Sequence, residues 1–214
     1  MEYFIGIDPS INSTCICVQK YDGELKISEN FIILKPGDRN KPESKWLTRK
    51  ENIANESFSN FQYSFYTIED LSPYKELNHY CEYWKSWNIC MCAKTIKDII
   101  KEWTKDDPQC VNIIMEGISY GSVQRTKSIF DLAGLNYLVR DKFIGKDEFN
   151  IIIATPSEIK KFASGNGNCK KEIMVNLFKL SHNEFEIIPK IDDISDAWFM
   201  ANYAKKLYDD ERGE

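Results

Sequence analysis

Tyr3-Phe4-Ile5-Gly6-Ile7-Asp8-Pro9-Ser10 is an apolar run that stops at an acid and a proline. That is the pattern of a buried strand that delivers a carboxylate at its end. Downstream, residues 14–20 alternate polar and apolar. A third strand over 25–34 follows the turn residues Tyr21-Asp22-Gly23, which predicts an antiparallel meander. Periodicity then fails over about 36–74, where Pro36, Gly37, Pro42 and Pro73 punctuate a segment rich in Asn, Ser, Lys and aromatics. This reads as an insertion after the third strand, with Phe58, Phe61, Tyr63, Phe65 and Tyr66 packing it onto the core.

Between 75 and 103, Tyr80, Tyr83, Trp84, Trp87, Met91, Ile96, Ile99 and Ile100 recur at three-to-four spacing, which predicts a long amphipathic helix. Val111-Asn112-Ile113-Ile114-Met115 is a buried strand ending at Glu116-Gly117, followed by a helix over 124–143. A fifth strand covers 149–154, and Pro156 opens a short helix. After the break Ser164-Gly165-Asn166-Gly167-Asn168 come helices over 170–180 and 193–208. The expected architecture is α/β, one domain over 1–214, with a mixed five-stranded sheet flanked by helices.

Totals exclude several classes. Nothing approaches the roughly 20 apolar residues of a membrane span, and no basic region precedes an apolar run at the start, so neither membrane nor export is expected. Seven cysteines, an odd number scattered through apolar segments, suit a reducing cytoplasm, or a host's cytoplasm for a viral or phage chain. Cys90-Met91-Cys92 lacks a zinc-knuckle spacer, and His79 and His182 have no cysteine pair nearby. The net charge of -5 weighs against nucleic acid, yet Lys and Arg gather in 125–146 and 160–179 while acids crowd 184–214. One basic face on an acidic protein is the expectation.

Asp8 and Glu116 each end a strand, where open sheets place their sites. Ile191-Asp192-Asp193-Ile194-Ser195-Asp196-Ala197 opens a helix, and its spacing lets Asp193 and Asp196, or Asp192 and Asp196, share a face. Asp192 and Asp193 could equally cap that helix. Carboxylates gathered this way repel unless their pKa values rise or metal neutralises them, and hard oxygen donors favour Mg²⁺ or Mn²⁺.

These motifs resemble those of the Holliday junction resolvases of the RuvC type, including phage and poxvirus relatives, which have a ribonuclease H-like fold. Ile5 to Ser10 looks like the family's first-strand motif, Met115-Glu116-Gly117 is similar to its second, and Asp193-Ile194-Ser195-Asp196-Ala197 matches its terminal motif. Residues 159–167 and Lys171-Glu172 resemble its lysine-rich, glycine-broken stretch. The resemblance implies a two-metal endonuclease acting on four-way DNA junctions, with Asp8, Glu116, Asp193 and Asp196 as ligands and no nucleotide cofactor. Lys171 would neutralise a phosphate at the cut. Lys160 and Lys161 would contact the DNA backbone, and Lys170, Arg125 and Lys127 are further expected DNA contacts. Tyr120 falls near the family's wedging aromatic, offset by one residue. Two symmetric cuts imply a homodimer. The helix with Ile129, Phe130, Leu132, Leu135, Leu138 and Val139 is apolar enough to be its interface or simply a core helix.

Rival readings keep the fold but act on flaps, forks or RNA–DNA hybrids, or retain only DNA binding. An actin-like ATPase needs a second half and glycine-rich phosphate loops that 214 residues hardly accommodate.

Overall fold

The computed structural model describes residues 1–38, 41–42, 45–71, 73, 76–105, 110–118 and 126–213. Strands β1 (Glu2–Asp8), β2 (Thr14–Asp22) and β3 (Leu25–Asp38) form the expected antiparallel meander. Strands β5 (Cys110–Glu116) and β6 (Phe149–Ala154) add in parallel on the other side of β1.

The expected count of five strands is corrected to six. The segment read as an insertion contains helix α1 (Arg49–Ser57) and strand β4 (Phe61–Ile68), and β4 pairs in parallel with β3, giving the order β4-β3-β2-β1-β5-β6. Strand β3 does not stop at residue 34 but continues through Pro36 and Gly37 to Asp38. Its outer edge there is taken up by β4, which buries Phe61, Tyr63 and Tyr66. Thr48 and Glu51 make a reciprocal capping box that starts α1, and Lys35 of β3 pairs with Glu51 at 2.5 Å.

Side chains of successive strand residues face opposite ways, so the sheet supports two cores. Tyr3, Ile5, Ile7, Ile113 and Met115 face helices α2 (Asn78–Trp103) and α3 (Thr126–Asp141). Phe4, Cys15, Cys17, Phe31 and Ile114 face helices α4 (Pro156–Ser164), α5 (Lys171–Ser181) and α6 (Ile191–Arg212). The same alternation turns Gly6, Asp8 and Glu116 toward the α4–α6 side. No helix among the described residues is long and apolar enough to cross a membrane.

Candidate active site

The acids meet because three pieces of backbone converge. β1 and β5 run parallel with Ile7 opposite Met115, so Asp8 and Glu116 follow the last paired residues at the same end of the sheet. Helix α6 then lies directly on β1. A Cβ on Gly6 would stand 1.9 Å from the carbonyl oxygen of Ala197 and 2.7 Å from the nitrogen of Ala201, a backbone-to-backbone approach that only glycine permits. That contact sets Asp193 and Asp196, in the first turns of α6, beside Asp8. Entry into α6 is made by Lys190 in the left-handed conformation (φ 68°, ψ 33°), an uncommon state for a side chain of its kind.

Helix α5 points its first residue at the same place. The Lys171 ammonium lies 3.0 Å from Asp196 Oδ2, 3.2 Å from Asp192 Oδ2 and 3.6 Å from Asp193 Oδ1. Lys190 Nζ is 3.7 Å from Asp193 Oδ2, and the buried Ser13 hydroxyl donates to that oxygen at 3.3 Å. Lys160 and Lys171 line a cavity of about 190 Å³ with Glu116, Asp196, Ile159 and Met174. A second cavity of about 230 Å³ opens on the other side of Glu116, between Asp8, Pro9 and residues Ile129, Leu132 and Asn136 of α3.

The electrostatics are those of crowded like charges. Burial, then the charges of Asp196, Asp193 and Glu116, push the Asp8 carboxyl well above the usual carboxylate range. Burial followed by Asp196 raises Glu116. Burial raises Asp196 as well, with Lys171 working against it. Burial opposes the charge of Lys171, but Asp196 and Asp192 outweigh it and hold the ammonium firmly protonated.

Among the described residues, no three His, Cys, Asp or Glu side chains close into a cage around one point. The donor set nevertheless fits a hard divalent cation in kind: four carboxylates, with more negative charge than Lys171 alone balances. Both histidines stand apart from the acids. His182 is buried with Nε2 2.6 Å from Glu29 Oε2, and His79 lies on α2 among Tyr80, Tyr83 and Trp84.

All four expected ligands and Lys171 are therefore brought together, with Lys160 in the same cavity. Lys161, the next residue on α4, turns instead to a separate groove with Phe162, Tyr203 and Lys206, and Lys170 is exposed ahead of α5. Tyr120 and Arg125 fall outside the described residues, as does the side chain of Lys127. Three contributors had escaped the sequence reading. Gly6 carried a signal, a glycine inside a strand. Ser13 carried none, nor did Asn136, whose side-chain amide donates to the Glu116 carbonyl at 2.9 Å.

No family model matches the chain, and no curated protein matches it by sequence. Among solved structures, RuvC of Thermus thermophilus superposes with a TM-score of 0.55 at 11% identity, covering 99% of this chain and 96% of that one. T. thermophilus RuvC in complex with Holliday junction substrate gives 0.49 at 12% identity, over 97% and 94%. The yeast mitochondrial Holliday junction resolvase Ydc2 gives 0.46 at 15%, over 95% and 83%. The fold assignment rests on the first of these. The chain has the fold of RuvC, the ribonuclease H-like mixed sheet with helices on both faces.

Proposed function

We propose that the protein is a metal-dependent endonuclease that resolves four-way DNA junctions. The observation that carries this reading is the convergence of Asp8, Glu116, Asp193 and Asp196 from three distant parts of the chain, with Lys171 against Asp193 and Asp196 and with Lys160 and Lys171 lining one cavity with Glu116 and Asp196. Such a site offers oxygen donors for cations at its floor and ammonium groups for phosphate at its mouth.

Asp8, Glu116, Asp193 and Asp196 would hold two Mg²⁺ ions, with Mn²⁺ as a substitute. When bound, these supply charge for the phosphate and a lowered water pKa at neutral pH. Asp8, buried among the other acids, would hold metal together with them. Lys171 offers its charge to the phosphate being cut, and Lys160 to a neighbouring one. Neither histidine is near enough to act as a base, so the carboxylates are left to orient the attacking water.

Two cuts in one junction call for two sites. Phe130 and Tyr137, seven positions apart on one face of α3, stand in solvent at 75% and 54% exposure, and this helix is our candidate for a two-fold dimer interface.

The test is cleavage of a labelled, mobile four-way junction beside linear duplex, with Mg²⁺ or EDTA, by wild type and Asp196→Asn. Paired symmetric nicks that vanish with EDTA or in the variant are the expected result. Cutting confined to flaps or forks would change the substrate, and binding without cutting under any metal would leave a DNA-binding module.

A further inference from the structure

Asp192 has no task in the reading above. It lies in the first turn of α6 immediately before Asp193, and its side chain is 44% exposed where those of Asp193 and Asp196 are 16% and 18%. All three reach one ammonium, that of Lys171, which therefore has two inner partners and one outer one. The inner pair belongs to the group of acids around Asp8, while the outer carboxylate stands at the rim.

Lys171 needs such a partner because its helix works against it. It is the first residue of α5, where exposed N–H groups give the helix end a partial positive charge that disfavours a cation. Ion pairing, not the helix, keeps this side chain in place. Once Asp193 and Asp196 engage a divalent cation, their charge is committed and the cation repels the ammonium. Asp192 is then the one carboxylate of the three still free to hold it. The left-handed Lys190 turns the chain so that both Asp192 and Asp193 fall in the opening turn of α6.

We propose that Asp192 is a positioning residue that keeps the Lys171 ammonium at the mouth of the site, in reach of the substrate phosphate, when Asp193 and Asp196 turn to metal. The proposal rests on the nuclease reading and assigns Asp192 to the lysine and not to the ions.

The experiment compares wild type, Asp192→Asn, Asp192→Glu, Lys171→Met and the pair D192N/K171M. Two quantities are read: the single-turnover rate of junction cleavage in Mg²⁺, and Mn²⁺ affinity by calorimetry without DNA. D192N should lower the rate about tenfold or more, the usual scale for losing the partner that orients an active-site group, and D192E should restore most of it. In the K171M background D192N should cost no more than about twofold, since the lysine it positions is gone. Mn²⁺ affinity of D192N should stay within about threefold of wild type. Much weaker Mn²⁺ binding would make Asp192 a ligand and overturn the proposal. Losses that multiply in the pair would overturn it too, by showing that Asp192 acts without Lys171. A wild type that cuts no branched DNA at all would remove the nuclease reading itself, before any variant is compared.

Discussion

Replacing Gly6 by alanine tests the contact on which the site is built. The added Cβ would meet the Ala197 carbonyl oxygen at 1.9 Å, the Ala201 nitrogen at 2.7 Å and the Ala197 carbonyl carbon at 2.9 Å. All three atoms are helix backbone and cannot rotate aside as a side chain could. To restore an ordinary contact of about 3.4 Å, α6 must lift from β1 by about 1.5 Å. Asp196 immediately precedes Ala197, and Asp8 is two residues beyond Gly6, so the shift falls within the carboxylate cluster. Misplacing reacting groups by about 1 Å is worth roughly a hundredfold in rate. Ile194, Ala201 and Ala204, fully buried in the α6 interface, would lose packing together, and overpacking of this kind costs about 1–3 kcal/mol. Urea unfolding should show a lower midpoint for G6A, and single-turnover junction cleavage a loss of about two orders of magnitude. A G6A protein with an unchanged midpoint and cleavage within about threefold of wild type would refute the close approach of α6 to β1.

Two further outcomes follow from the electrostatics. The raised pKa of Asp8 means that the folded state binds its proton more tightly than the unfolded chain does, so stability falls as pH climbs out of the ordinary carboxylate range and stays lowered at neutral pH. Asp8→Asn should therefore melt higher than wild type in EDTA, while Mg²⁺ should raise the melting temperature of wild type and leave that of the variant nearly unmoved; the opposite ranking in EDTA would contradict the repulsion. Glu29 carries the reverse sign. Burial alone would raise its carboxyl, but hydrogen bonds from His182 and Lys26 overcome this and hold it at about 2. Its contribution is complete above the ordinary value of 4.5 and is lost as pH falls from there to about 2, on the order of 3 kcal/mol over that window. Glu29→Gln should flatten acid unfolding between pH 4.5 and 2 at some cost in stability at pH 7, and an acid limb as steep as that of wild type would show that other carboxylates carry it.

What could be read from the sequence was what local chemistry repeats. The apolar runs of β1, β5 and β6 and the alternation in β2 reveal strands, and although a single acid at a strand end is usually a solvated turn residue, the acids ending β1 and β5 stand out jointly with the acidic opening of α6. The spacing of Asp193 and Asp196 follows from helical geometry. The edge was harder. Phe61, Tyr63 and Tyr66 change from two-residue to three-residue spacing inside β4, and Pro36 and Gly37 look like an ending although β3 runs through them. Helix α1 did have a start signal in Thr48-Arg49-Lys50-Glu51, whose ends cap each other. Partners far apart in the chain left no trace: nothing local ties Ser13 to Asp193, 180 positions on, or Glu29 to His182, 153 positions on.

That last pair explains how a fold tolerates so much repulsion at one end. Glu29 on β3 accepts from Gln19 at 2.7 Å, from Lys26 at 2.9 Å and from the Trp198 indole at 3.0 Å, while His182 sits 2.6 Å from its other oxygen. Trp198 belongs to α6, six residues past Asp192, and His182 caps the far end of α5, whose eleven residues span about 16 Å from Lys171. One buried carboxylate thus ties both helices to the sheet, α5 at the end away from Lys171 and α6 two residues beyond Asp196. His182 is stacked on Phe178 and bracketed by Phe31 and Phe185, which fixes its ring and with it the direction of α5. On α5 the tie is distant, so any tilt it allows is enlarged at Lys171, but the four groups bound to the Glu29 carboxylate allow little. The acids around Asp8 can remain mutually repelling because the geometry that holds them does not depend on attraction among themselves.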